Sequence, residues 1–283
     1  MSLRVRTNIA AIRSFNSLNR TQKSLSNSLE RISSGLRVNR AADDAAGLAV
    51  ASRMNADNVS LRQAMRNAND GISLVQTAEG TLSQIGNILT RMRELSIQSA
   101  NGTYSDGDRL LINTEFAQLA SELNRIASIS NFNGINLLRA SAGAVNSVLT
   151  LQIGIDNVND DRISLNLTTL ASTGAALGLA TVMQNGITSQ ITAQAALDMI
   201  DTAIQNVNVR RATLGATQNR LESALSEAST YSENLSASYS QIMDVDYAEE
   251  SANMTRLQIM QQAGVAALGQ AKAISQSVVS LLS

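Results

Sequence analysis

The stretch NRTQKSLSNSLERISSGLRVNRAADDAAGLAVA, Asn19 to Ala51, decides the fold. Taken with the few residues before it, its seam positions step by three and four: Phe15, Leu18, Gln22, Leu25, Leu29, Ile32 and Leu36. A repeat of about 3.5 residues predicts a coiled-coil seam. Gln22 sits in that seam, where a polar residue costs stability and can fix register. Gly35 does not stop the rhythm, although an interior glycine costs about 1 kcal/mol relative to alanine. Then the seam ends in a basic run, two aspartates and small residues. Asp43 and Asp44 are neighbours, and neighbours on a helix diverge by about 100°, so they do not converge as an acid–base pair. They read instead as a turn or helix-start signal, carboxylates meeting free N–H groups at the positive end of a dipole.

Three further segments repeat the rhythm. Val75, Ala78, Leu82, Ile85, Leu89 and Met92 form a second seam, and Ile112, Phe116, Leu119, Leu123 and Ile126 a third. Between them lies NGTYSDGDR, Asn101 to Arg109, rich in turn formers, so these two are predicted to fold back as an antiparallel hairpin. The longest seam runs through Leu214, Gln218, Leu221, Leu225, Ala228, Ser232, Leu235, Tyr239 and Ile242, and Leu257 to Leu282 reads as a further amphipathic helix. Many seam positions are Ala, Ser or Gln, so each layer packs weakly and the helices need partners along their whole length. In the middle of the chain the period changes. Leu149, Leu151, Ile153 and Ile155 alternate, as do Ile163, Leu165 and Leu167, with DNVNDD between, the pattern of a β-hairpin. The following TTLASTGAALGLATVMQNGITSQ has no clean period and is predicted to be surface connection. The fold expected is mainly α: an elongated antiparallel coiled-coil helix bundle formed by both chain ends, with a small β-hairpin insert.

Composition agrees with a seam rather than a sphere. The 283 residues include no Cys, Pro, Trp or His, aromatics are 2% and charged residues 16%, while 44% are hydrophobic. With so little aromatic area, a compact core is weakly held. Absence of His and Cys removes the imidazole base, the thiol nucleophile, the common zinc and haem ligand sets and any disulfide. No catalytic residue, metal or cofactor is expected. DNVNDDR lacks the spacing, glycine and final glutamate of a calcium loop and reads as a polar hairpin tip. No apolar run reaches the ~18 residues of a membrane span, and no signal-peptide pattern opens the chain, so export is expected to cleave nothing.

Net charge is −1, which argues against nucleic-acid binding. Its distribution is uneven. Residues 1–66 carry eleven Lys and Arg against four Asp and Glu, whereas Glu222 to Glu250 holds seven acids and no base. This hints that the two ends lie side by side, against the plainer reading of two solvated faces. Arg91, Arg93, Glu94 and Leu95 are placed on a helix face away from the Leu89 and Met92 seam, where charged residues most simply mark a solvated surface.

The opening block, Leu18 to Ala51, strongly resembles the N-terminal core of bacterial flagellins. RMRELSIQSANGTYSDGDR with NFNGINLL is similar to the flagellin outer-core segment; LGATQNRLESAL, DVDYAEESANMTRLQIMQQAGVAALGQA and VVSLL resemble the C-terminal core. Together these blocks span residues 1–140 and about 195–283, in the family's order. The resemblance implies a non-enzymatic subunit that polymerises into the extracellular flagellar filament for motility. It is exported unfolded and ordered at its ends only on assembly. It implies an inner-tube domain of residues 1–43 with 245–283, its seam carried by Leu18, Leu25, Leu29, Ile32, Leu36, Leu257 and Leu268. An outer-core bundle of residues 44–244 holds the hairpin and connection at about 141–190. The implied partners are copies of the chain, flagellar cap and hook-associated proteins, and an export chaperone at the C-terminal helix. The vertebrate Toll-like flagellin receptor is a further candidate, through the aligned positions Arg91, Leu95 and Glu115. Two features depart from the longer members: only about 50 residues, Ser141 to Gln190, separate the conserved halves, and the N-terminus is unusually basic, with Arg4, Arg6 and Arg13. Against the filament subunit stand a hook–filament junction adaptor, which would share the terminal helices, and an enzyme. Some family members carry a zinc protease in the outer domain, which needs the histidines this chain lacks.

Overall fold

The computed structural model describes residues 8–139 and 148–280. Arg4, Arg6 and Leu282, and part of the interval expected at 141–190, lie outside the described residues. The elements in chain order are α1 (Ile9–Ser34), α2 (Ala45–Ala100), α3 (Asp106–Ile129), β1 (Asn131–Phe132), β2 (Ile135–Asn136), β3 (Val148–Gln152), β4 (Arg162–Asn166), α4 (Leu167–Leu170), α5 (Ala180–Asn185), α6 (Gln190–Met243) and α7 (Tyr247–Ser280). They divide into two compact units, one of residues up to Asn58 together with those from Glu233, the other Val59–Ser232.

In the second unit the expected seams are the core. Val75, Ala78, Leu82, Ile85, Leu89 and Met92 of α2 are buried against Phe116, Leu123 and Ile126 of α3 and Leu214 and Leu221 of α6. The α2–α3 hairpin is antiparallel, as its turn chemistry predicts. Arg91 pairs with Glu115, and farther from the turn Ser130 donates to Thr81 at 3.3 Å. That turn is closed by a capping box in which Ser105 and Asp108 exchange side-chain to backbone hydrogen bonds, satisfying two otherwise orphaned N–H groups of α3. The hydrogen bond from the Ser105 hydroxyl, then that from its N–H, holds the Asp108 carboxyl below its ordinary pKa. Buried Arg109 donates to the carbonyls of Ser99 at 3.1 Å and Asn101 at 2.9 Å, a cation placed at the negative end of α2.

The β-hairpin forms with Leu149 opposite Leu165 and Leu151 opposite Ile163, but it is shorter than the alternation predicts: Ile153 and Ile155 fall beyond β3, and Leu167 opens α4. It sits on α2 where there is no side chain to hold it off. A Cβ at Gly71 would stand 2.6 Å from Leu151 Cδ1 and 3.3 Å from Leu221 Cδ1. A second, two-residue-strand hairpin, Asn131–Phe132 with Ile135–Asn136, turns through Asn133-Gly134, both at positive φ, and was not predicted as structure.

The segment after β4 overturns an expectation. Read as surface connection, it instead buries Leu170, Leu177, Leu179, Val182 and Ile187 in the same core. Its lack of period has a physical cause: α4 and α5 are four and six residues long, too short to show one. The guanidinium of Arg210 closes over it, donating to the Ala171 carbonyl and, at 2.9 Å, to the Ser172 hydroxyl. Burial pushes the Arg210 pKa down.

In the first unit α1 packs along α7, and the contacts run antiparallel. Asn8 donates to the Ala271 carbonyl at 2.8 Å, Gln261 to Gln22 at 2.5 Å and Ser28 to Glu250 at 2.5 Å. A small separate core gathers Val38, Ala51 and Met243, with Leu36, Leu48, Tyr239 and Ile242 packed against it.

Candidate self-assembly face

The face that α1 turns to α7 is only in part the one its apolar spacing outlines. The residues of α1 that are buried are Thr21, Leu25 and Ser28, flanked by half-buried Leu18 and Ile32. Leu18, Leu25 and Ile32 therefore lie on the face toward α7. Leu29, by contrast, is 48% exposed and Phe15 54%, and Ile9 and Ile12 are exposed beside them. Leu36 also leaves the seam: α1 ends at Ser34, and Leu36 packs in the small core around Val38 and Met243. The reason is steric. With a single partner helix, α7, only a narrow stripe can be covered, and it is the stripe whose small side chains (Thr21, Ser28) let the backbones approach.

Helix α7 behaves likewise. Leu257 and Leu268 are half-buried toward α1, and Gly264 opposes Leu18, whose Cδ1 lies 3.2 Å from where a glycine Cβ would stand. Ile259, Met260 and Val265 are exposed, at 61%, 50% and 55%. Each helix of the pair thus has one satisfied stripe and further apolar side chains left bare, on α7 spread around the helix. Gln22 joins Gln261 at the pair's edge, so the polar seam residue does bond across helices. The charge asymmetry yields one ion pair between the two helices among the described residues, Arg31 to Glu250 at 3.8 Å. Sequence reading missed Ser28 and Glu250 as partners; the available signal was a run of small residues at heptad spacing one step out of phase with the leucines.

The acidic pair has the role its position predicts. Asp44 Oδ1 accepts from the Gly47 N–H at 2.8 Å, capping α2, and Asp43 Oδ2 accepts from the N–H groups of Arg40 at 3.0 Å and Asn39 at 3.2 Å, closing the preceding turn. Among the described residues no group of three or more Asp, Glu, His or Cys is placed to hold a metal ion, and no helix is long and apolar enough to cross a membrane.

The surface aligned with receptor contacts is only partly a surface. Arg91 donates to Glu115 at 2.9 Å and to Glu94 at 2.8 Å, and the three are exposed. The hydrogen bond to Glu94, then that to Glu115, raises the guanidinium pKa. Leu95 is 2% exposed, which corrects its placement away from the seam. It stands three residues past Met92, so the helix carries it to the same side. Arg93 faces α6 instead and bonds Asp201 at 2.6 Å.

The architecture is that of a helical protein whose terminal pair, α1 with α7, leaves apolar side chains uncovered. Residues 5–142 match the bacterial flagellin N-terminal helical region and residues 197–282 the bacterial flagellin C-terminal helical region. The chain is 41% identical to the flagellar filament 33 kDa core protein of Treponema phagedenis over 97% of this chain and 98% of that protein. It is 43% identical to a flagellin of Halalkalibacterium halodurans over 94% and 93% respectively. In fold it resembles a putative flagellar hook-associated protein from Vibrio parahaemolyticus, at 18% identity and a TM-score of 0.56, over 71% of this chain and 100% of that one. The chain belongs to the bacterial flagellin family, a family of structural filament proteins.

Proposed function

We propose that this chain polymerises with copies of itself into a flagellar filament outside the cell, serving motility. The observation that carries the reading is the set of uncovered apolar side chains, Ile9, Ile12, Phe15 and Leu29 on α1 and Ile259, Met260 and Val265 on α7. Burial of such side chains gains about 1.5–3 kcal/mol each, and the α1–α7 pair alone cannot supply it. A neighbour's helices can. If the contact is head-to-tail and does not close, an open helical array follows. In this reading residues 1–43 and 245–283 form the inner tube, and residues 44–244 the outer core. Leu18, Leu25, Ile32, Leu257 and Leu268 hold each α1–α7 pair together, while Phe15 and Leu29 join one copy to the next. The relatives' names, filament core protein and flagellin, support the same assembly.

Export in the unfolded state, with a chaperone on α7 and a cap at the growing end, fits a chain with no disulfide to form. Arg91 and Glu115 remain the exposed charged surface offered to a neighbouring copy or, on the free subunit, to a vertebrate Toll-like receptor. Leu95 has no part in either.

The test is seeded polymerisation of the full chain, followed by sedimentation and electron microscopy. Filaments of indefinite length are expected. Small closed assemblies would favour the hook–filament junction adaptor, and no assembly at any seed concentration would refute both.

A further inference from the structure

Four helix ends meet where α1 gives way to α2 and α6 to α7, and they are closed in two different ways. The N-terminal ends are closed by their own chain. Asp44 accepts from the Gly47 N–H at 2.8 Å, and Asp246 Oδ1 accepts from the N–H groups of Ala248 at 2.9 Å and Glu249 at 3.2 Å. The C-terminal ends, beyond the bonds of Gly35 N–H to Arg31 and Asp244 N–H to Ser240, take further donors from the opposite segment. Arg37 Nη2 donates to the carbonyls of Gln241 at 3.2 Å and Ile242 at 2.7 Å, and the Arg37 backbone N–H donates to the Met243 carbonyl at 2.6 Å. A residue that follows α1 therefore satisfies the end of α6.

The reverse also holds. The Tyr247 hydroxyl, at the start of α7, donates to the Ile32 carbonyl in the last turn of α1 at 2.9 Å, and the Val245 N–H donates to the Gly35 carbonyl at 3.0 Å. Gly35 makes this possible: its φ of 73° turns the chain out of α1. Leu36 and Asp244 form an antiparallel bridge between the breaks, over the core of Val38, Ala51 and Met243.

Helix C-termini leave carbonyls without intrahelical donors, and a short acidic side chain that caps an N-terminus cannot serve there. Here the missing donors come from the other break. We propose that the two breaks act as a single reciprocal clasp in which Arg37 and Tyr247 are positioning residues that make the order of α1 and α7 conditional on one another. The clasp belongs to the chain itself and does not need the filament reading. Where copies do assemble, it delivers both terminal helices together rather than one at a time.

Hydrogen–deuterium exchange on the full chain, in solution and in seeded assemblies, tests this with Arg37→Ala and Tyr247→Phe, the second removing only a hydroxyl. A clasp predicts effects that cross over. Arg37→Ala speeds exchange at the first turns of α7, residues 250–257, on the order of tenfold, although Arg37 bonds none of them. Tyr247→Phe does the same at residues 240–243 of α6. Arg37→Lys, whose single ammonium lacks the guanidinium's reach to two carbonyls, gives an intermediate effect. Unchanged protection around Leu89 shows that each variant is folded. The proposal is overturned if each substitution loosens only the helix end it caps, or if residues 240–257 of the unaltered chain exchange freely in every state. Loss of polymerisation by the unaltered chain would count against the filament reading and leave the crossed exchange effects measurable in solution.

Discussion

Two parts of this molecule carry the same alternation of threes and fours and bury it to different depths. In the unit of residues 59–232, Leu82, Ile85, Leu89 and Met92 of α2 are fully enclosed, because α3, α6, the β3–β4 hairpin and the α4–α5 segment close around them. In the unit formed by the chain ends, α1 has α7 on one side and its other apolar stripe is bare. Heptad spacing thus states that a helix wants neighbours; it does not state how many the same chain will supply. Where the chain supplies enough, the result is a core. Where it supplies one, the remainder is a surface for another molecule.

The largest effect separating the two parts should come from trimming one leucine in each. Leu89→Ala should lower the stability of the dissolved protein by about 2–5 kcal/mol, read from the thermal unfolding of the helical signal. Leu29→Ala, made in the bare stripe, should leave that transition within about 0.5 kcal/mol and instead raise the concentration needed for polymerisation. Equal losses in the two variants would erase the distinction. A smaller effect is expected at the junction: Asp44→Ala removes the cap of α2 and should cost about 1 kcal/mol, with faster amide exchange at residues 45–48.

Acid gives a third comparison. The Arg93 hydrogen bond lowers the Asp201 pKa, so the folded value lies below the unfolded one of about 3.9. The contribution of this pair is fully present above the unfolded value and is lost as pH falls through the folded value. Residues 59–232 should therefore weaken on acidification below about pH 4, and Asp201→Asn should flatten that dependence in an acid titration followed by circular dichroism. The smallest effect is expected of Arg91→Ala, an exposed ion pair whose loss should change melting by no more than a surface substitution does.

Much of the core was legible. The seams of α2, α3 and α6 and the strand pairing of Leu149 with Leu165 follow from periods of 3.5 and 2, and those periods survive because each element is long or regular enough to display one. The α4–α5 segment was not legible, since a six-residue helix shows less than two turns of pattern. The face of α1 was misread for another reason. Leucine spacing reports where apolar side chains lie, and in a two-helix pair the close contact goes to small residues, Thr21 and Ser28, while Phe15 and Leu29 are left outside. Leu95, three residues from Met92, shares that helix face and is buried with it, although its charged neighbours suggest a surface. Arg37 carried no signal at all, because capping a distant helix depends on the meeting of two breaks more than 200 residues apart in sequence.

The central claim is that α1 and α7 are incomplete without further copies of the chain. Hydrogen exchange on the unaltered protein, dissolved and then polymerised, addresses it directly. The account predicts strong protection at residues 75–126 in both states, and protection at residues 9–28 and 258–273, away from the clasp, that rises steeply only on polymerisation. Full protection of those terminal helices in the dissolved monomer would contradict it.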